Sequence, residues 1–144
     1  MGMQGSYAHK LDGKGRMVLP ARFRDDLGDR VVATIGIGNW RCVSVYPIEQ
    51  WSAFLTRLDG VAAKGGKARD IRRIILASAH ELEVDGAGRI LVPNPLRTYA
   101  AIGQEVSVNG NSDHIEIWNM GTWSEYMEAM LGDIGELTEG IEGI

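Results

Sequence analysis

The spacing of hydrophobic residues along the chain predicts short strands that alternate with short helices. Residues 31–35 and 41–46 are runs of β-branched and other apolar residues, and the segment 36–39 between them predicts a turn. Apolar residues then recur at the i, i+3 and i+4 spacing of one helix face in two segments: Trp51, Phe54, Leu55 and Leu58, and then Ile71, Ile74 and Ile75. We therefore predict a mainly β protein with short helices, an α+β fold.

The same order of elements occurs twice in the chain. Residues 11–27 return in residues 84–100 at one constant offset, with six identities: Asp12, Gly13, Gly15, Arg16, Pro20 and Arg24 correspond to Asp85, Gly86, Gly88, Arg89, Pro93 and Arg97. Three further strands are predicted in the second copy, at residues 90–92, 106–108 and 115–118. Because one copy is too small to bury its apolar face alone, we expect the two copies to share a core.

The repeat sets the predicted organisation of the chain. A first unit, connecting helices, a second unit, a C-terminal helix and an acidic mobile tail are expected at residues 6–50, 51–78, 79–122, 123–131 and 132–144. Thr122 and Glu125 have the spacing of a capping box and predict the start of the C-terminal helix. Trp118 corresponds to Tyr46 one residue out of the first offset, and a one-residue deletion in a loop explains this shift.

Charge is distributed unevenly along the 144 residues. The chain has 15 basic and 19 acidic residues and a formal net charge of −4, yet residues 111–144 contain eight acidic residues and no lysine or arginine. Residues 10–24 hold one acidic residue and five basic ones: Lys10, Lys14, Arg16, Arg22 and Arg24. An acidic protein can therefore present one basic face to a nucleic acid.

Patterns typical of enzymes and of metal sites are weak. The three histidines, His9, His80 and His114, are scattered without metal-ligand spacing, and no Ser or Thr follows Lys67 to complete a P-loop. Cys42 lies in an apolar run, which favours a buried, unreactive thiol. We expect no enzymatic activity, no metal and no cofactor. No run approaches the roughly 18 apolar residues of a membrane span, so we expect a cytoplasmic protein without a membrane partner.

The repeated D-x-x-x-R segment predicts a tight turn between two strands. An aspartate can accept hydrogen bonds from the backbone amides that follow it, and glycines supply the positive φ angles of a hairpin. Arg16 would then return within reach of Asp12. Pro20 can begin a helix that Gly28 ends, with Arg22 and Arg24 near solvent.

Together these segments resemble the MraZ family of transcription regulators. The resemblance extends to about residue 130 and includes both D-x-x-x-R blocks, the Tyr46-Pro47 pair with Trp51, and Glu116-Ile117-Trp118. It implies two SpoVT-AbrB swapped-hairpin units in one pseudo-symmetric interleaved β-barrel. It also implies a ring-shaped homo-oligomer, associated with the nucleoid, that binds double-stranded DNA. The expected DNA sites are short direct repeats in the promoter of its own operon, at the bacterial cell division and cell wall cluster.

The resemblance places the D-x-x-x-R motif on Asp12 and Arg16 and on Asp85 and Arg89. Lys14 matches the basic position of the first turn, whereas the second turn has Ala87 there. The first copy is therefore expected to be the DNA face, with Arg16 and Lys14 as its main contacts. Three further residues are expected to contact phosphates: Lys10, Arg22 and Arg24. Asp12, Asp85 and Arg89 are expected to be structural, and Arg16 can be a DNA contact, a partner of Asp12, or both.

One alternative function uses the same fold. An oligomeric protein-interaction scaffold could hold partner proteins and never touch DNA. Salt separates the two hypotheses, because binding through phosphate contacts weakens steeply with salt and binding through an apolar interface does not.

Overall fold

The computed structural model describes residues 2–144 and confirms the α+β class. The first copy comprises β1 (Ser6–Lys10), β2 (Arg16–Val18), α1 (Ala21–Leu27), β3 (Arg30–Ile35), β4 (Val43–Pro47), α2 (Ile48–Ala62) and α3 (Gly66–Ala77). The second comprises β5 (His80–Glu83), β6 (Arg89–Leu91), α4 (Asn94–Tyr99), β7 (Glu105–Gly110), β8 (Ile115–Asn119), α5 (Met120–Gly132) and α6 (Ile134–Thr138). Within the described residues, none of the helices has the length and apolar character needed to cross a membrane.

The strand order interleaves the two copies. Six antiparallel strands form a sheet in the order β1-β7-β8-β4-β3-β5, and β2 pairs with β6 in a separate ribbon. Four strand pairs, β1-β7, β4-β8, β3-β5 and β2-β6, each join a strand of one copy to a strand of the other. Exchanging each strand for its counterpart in the other copy reverses this order and leaves every strand pair unchanged. A pseudo-twofold axis therefore passes through the β4-β8 and β2-β6 pairs.

One main hydrophobic core is built from both copies. Phe23 and Leu27, four residues apart on α1, are buried with Leu96, which occupies the matching position of Phe23 on α4. Met17 and Ile90, from the ribbon, lie in the same cluster and are each about 1% exposed. A full burial of this kind stabilises the fold by about 1.5–3 kcal/mol per large side chain. Neither copy could bury these side chains without the other copy.

A second, smaller cluster fixes the connecting helices to the sheet. Phe54 and Leu58 of α2 and Ile75 of α3 pack with Tyr46 of β4. The Thr34 hydroxyl of β3 donates to the Ile75 carbonyl over 2.9 Å, which ties α3 to the sheet. Cys42 is buried, as predicted, and burial raises the pKa of its thiol far above the ordinary value.

Loop lengths correct the predicted relation between the copies. From α1 to β3 the connection is residues 28–29, whereas from α4 to β7 it is residues 100–104. The β3-β4 loop is residues 36–42, and the β7-β8 loop is only residues 111–114. The one-residue shift is therefore not a single deletion. It results from two length changes of opposite sign in surface loops, where such changes are tolerated.

The C-terminal helix also differs from prediction. The Asn119 side chain, and not a Thr122–Glu125 box, caps α5 by accepting the Thr122 amide over 3.1 Å. Residues 134–138, within the segment predicted to be a mobile tail, form the short helix α6 with exposed side chains.

The closed barrel stays a prediction, since the six-stranded sheet ends in two edge strands, β1 and β5.

Candidate nucleic-acid interface

Each D-x-x-x-R turn is closed by its aspartate. In the first turn Asp12 Oδ1 accepts the amides of Lys14 and Arg16, both at 2.9 Å, and Asp12 Oδ2 accepts Arg16 Nε at 2.9 Å. Asp85 repeats this pattern in the second turn with the Ala87 amide at 3.0 Å, the Arg89 amide at 2.8 Å and Arg89 Nε at 2.9 Å. Arg16 and Arg89 are thereby held in one geometry relative to their turns.

The two carboxyls stay ionised because of these donors. The amide of Arg16, then the amide of Lys14 and the Arg16 guanidinium, lower the pKa of Asp12 below its ordinary value. The amide and guanidinium of Arg89 and the amide of Ala87 do the same for the pKa of Asp85. Each arginine charge is therefore offset by its aspartate. Lys14 makes no ion pair within residues 2–144, so it gives the first turn a positive charge that the second turn lacks.

The ribbon presents one outward surface, which we call the ribbon face and define as Arg16, Val18, Arg89 and Leu91. Arg16 lies opposite Leu91 and Val18 lies opposite Arg89 in the β2-β6 register, while the alternate residues point into the core. Among the guanidinium nitrogens of the two arginines, only the Nε atoms have hydrogen-bond partners within residues 2–144. Their terminal nitrogens are available to a ligand.

One further arginine connects each turn to the opposite copy. Arg97 Nε donates to the Val92 carbonyl at 2.9 Å, and a Cβ placed at Gly15 would lie 2.6 Å from Arg97 Cζ. Gly15 has a φ of 85°, which favours glycine. The Gly15 carbonyl also accepts the Val92 amide at 3.0 Å. The first turn is therefore braced by the second copy.

Arg24 makes the equivalent contacts in the second turn. Its Nε donates to the Leu19 carbonyl at 3.1 Å, and its guanidinium covers Gly88. Arg24 was predicted to be a phosphate contact of the first-copy DNA face, and the structure places its guanidinium against the second turn. Arg97, which the prediction omitted, is the arginine beside the first turn. The identity of Arg24 and Arg97 in the repeat was the signal that both have one structural role.

The remaining predicted cations are separated by the length of the β1-β7 ladder. Lys10 is exposed at one end, opposite Glu105, directly before the first turn. Arg22 lines a cavity of about 610 Å³ with Met3 and Ser112, and those two residues pair beyond the other end of the ladder. Lys10 thus lies at the ladder end that leads into the first turn, whereas Arg22 lies near the opposite end.

Two interleaved copies of a D-x-x-x-R hairpin unit define a tandem-repeat α+β protein with two equivalent turns. The family model of the MraZ protein, described as antitoxin-like, matches this chain at residues 3–74 and 75–133. The chain belongs to the MraZ family.

Similar proteins carry the name Transcriptional regulator MraZ. The one from Desulforamulus reducens is 39% identical over 137 residues, covering 95% of each chain. Those from Halothermothrix orenii and Thermoanaerobacter pseudethanolicus are 36% and 39% identical over 140 residues, each covering 97% of this chain and 96% of the relative.

Proposed function

We propose that this protein is a transcriptional regulator that binds double-stranded DNA through its first D-x-x-x-R turn. The observation that carries the proposal is the pairing of an exposed Lys14 with an Arg16 whose Nε is fixed by Asp12 and whose terminal nitrogens are unpaired within residues 2–144. The names of the relatives support the regulatory role.

The turn geometry suits recognition of a base edge. A guanidinium can donate two parallel hydrogen bonds to O6 and N7 of guanine, and such a pair contributes about 1–3 kcal/mol of discrimination. Because Asp12 already orders the Arg16 side chain, little further entropy is lost on binding. Lys14 and Lys10 would contact phosphates on either side and supply sequence-independent affinity. Asp12 acts as a positioning residue.

The two other predicted phosphate contacts take different places in this proposal. We assign Arg24, with Asp85 and Arg89, to the structure of the second turn. Arg22 lies outside the primary face and could contact DNA only where the duplex extends along the sheet.

The finer features of this proposal are those that the resemblance to the family implies. We propose a homo-oligomeric ring whose first turns contact successive short direct repeats in the promoter of its own operon, at the division and cell wall cluster. Several weak turn contacts on one duplex would then add through their high effective concentration. The protein would act in the cytoplasm at the nucleoid. Approach of the two edge strands of the six-stranded sheet, β1 and β5, would complete the interleaved barrel.

A scaffold without DNA binding is the second candidate. Five exposed aliphatic residues near the C-terminus favour it: Leu131, Ile134, Leu137, Ile141 and Ile144. Such residues suit a protein interface. The two functions make opposite predictions for salt dependence.

The test is selection of bound fragments from a bacterial genome containing a division cluster, followed by titration of the enriched duplex at several salt concentrations. We expect Lys14→Ala to lower affinity and reduce the salt slope by about one unit without changing the melt. Arg16→Ala should lose about 1–3 kcal/mol of discrimination between enriched and scrambled duplexes.

Lys64→Ala and Lys67→Ala, in and beside the loop between α2 and α3, are charge-matched controls and should bind like the parent. Full affinity in folded Lys14→Ala, Arg16→Ala and the double variant would overturn the assignment of the first turn. No enrichment of any fragment would favour the scaffold.

A further inference from the structure

Two aliphatic side chains are exposed at the centre of the ribbon face. Val18 is 40% exposed and Leu91 is 52% exposed, although the alternate ribbon residues Met17 and Ile90 are buried. Val18 lies opposite Arg89 and Leu91 opposite Arg16, so each aliphatic residue has a guanidinium as its cross-strand neighbour. The two turns at the ends of the ribbon therefore enclose a small apolar spot between cations.

The size of this spot limits what it can bind. Cross-strand neighbours lie about 4.5–5.5 Å apart, so the ribbon face is narrow enough for a major groove that is about 12 Å wide. Two isolated aliphatic side chains expose far less than the few hundred Å² of an apolar patch that marks a protein interface. The only apolar group on the base edges of the major groove is the C5-methyl group of thymine.

We propose that Val18 and Leu91 contact thymine methyl groups in the major groove and so determine part of the sequence specificity. This inference rests on the proposed DNA binding and adds a second kind of recognition to it. Arg16 would select guanine by hydrogen bonds, and the aliphatic pair would select thymine at neighbouring positions by excluding water from the methyl group. Leu91 belongs to the second copy, so both copies contribute to one recognition surface.

Uracil tests the proposal because it pairs like thymine and lacks only the methyl group. Duplexes enriched from a random pool by the parent protein would be synthesised with thymine or with uracil, first at all positions and then one at a time. We expect the parent to lose about fourfold in affinity for each contacted methyl group removed. Val18→Ala and Leu91→Ala should bind the thymine duplex more weakly and should lose the response to uracil at one position each.

Two variants serve as controls. Ile37→Ala removes an aliphatic side chain that is 61% exposed in the β3-β4 loop and should keep the full parental response to uracil. Val18→Thr keeps the shape of valine and the preference of a strand for β-branched residues, so it tests the contact if Val18→Ala does not fold. It should also show a reduced response.

The outcomes separate this inference from the proposed function. If the parent enriches no duplex, the proposed function fails and this inference fails with it. If the parent binds an enriched duplex with steep salt dependence but equally well with uracil, only the methyl contact is wrong. A fall in oligomer mass for folded Val18→Ala or Leu91→Ala, measured by light scattering, would instead assign the ribbon face to a protein interface and overturn the proposal.

Discussion

Replacing Gly15 by alanine should destabilise the fold, because this turn glycine is buried and has no room for a side chain. Its φ of 85° lies in the left-handed region, which costs an alanine about 1–2 kcal/mol. The new Cβ would also lie 2.6 Å from Arg97 Cζ and displace that side chain. Loss of the Arg97–Val92 hydrogen bond adds about 0.5–1.5 kcal/mol. We expect a total loss of about 2–3 kcal/mol.

The same turn supplies a matched control. Gly13 has open space within 4 Å of an added Cβ and no positive φ. Alanine there should be neutral, or should stabilise by about 0.4–1 kcal/mol, because it restricts the unfolded chain. Urea unfolding at fixed protein concentration compares the two variants directly. With a slope of about 1–3 kcal/mol per molar, Gly15→Ala should lower the midpoint by about 1 M or more.

A double variant with Arg97→Ala separates the two causes of the expected destabilisation, the steric clash and the backbone strain. In an Arg97→Ala background the clash is absent, so Gly15→Ala should cost only the backbone strain of about 1–2 kcal/mol. The two substitutions should therefore be less than additive. Equal stability of Gly15→Ala and Gly13→Ala would refute the bracing of the first turn by Arg97, and full additivity would refute the clash.

Three further predictions concern the pH dependence of stability, the shared core and the oligomeric state. Burial alone would lower the pKa of His114, but the carboxylates of Glu116 and Asp113 raise that pKa above its ordinary value of about 6.5. The protonated His114 should therefore stabilise the fold fully below about pH 6.5, and this contribution should be lost as the pH rises through the folded pKa. Urea midpoints between pH 5.5 and 8.5 should fall with pH in the parent more than in His114→Gln, and equal pH profiles would contradict this. Cutting the chain within residues 60–66 should leave fragments that fold only when mixed, and cooperative melting of the monomeric 1–60 fragment would exclude a shared core. Light scattering should give a mass above that of a monomer because Leu131, Ile134 and Leu137 expose apolar side chains that a second copy can cover, and a monomeric mass at micromolar concentration would rule out the ring.

The repeat made the local structure of both turns predictable. Asp12 and Gly15 have defined chemical roles within five residues, and the same roles return at Asp85 and Gly88, so each turn could be built from its own sequence. The helix at Pro20 was predictable for the same reason, because its start, its buried face and its terminating Gly28 are all local signals.

Contacts between the copies could not be predicted with equal detail. Pairing of β1 with β7 joins Ser6 to Asn109, and nothing in either segment specifies that partner. As a result, the distance of Arg22 from the first turn could not be predicted, because Arg22 and the turn are close in the sequence. The position of Arg24 against the second turn could not be predicted from its own segment, because the covering of Gly88 depends on the β2-β6 ribbon.

The structure separates residues that maintain the turn from residues that can differ between copies. Most of the identical positions close a turn, brace the opposite turn or begin a helix, so a change at one of these would damage a turn or the shared core. Gly13 and its counterpart Gly86 are the exception, because a Cβ added there meets open space. Lys14 and Ala87 occupy the same place in their turns, where only the backbone amide is used by the aspartate. The side chain at this position is therefore free to change without cost to folding. A duplicated unit can lose a phosphate contact in one copy and keep the fold intact, and the second copy then contributes to the first turn through Arg97 and to the ribbon face through Leu91.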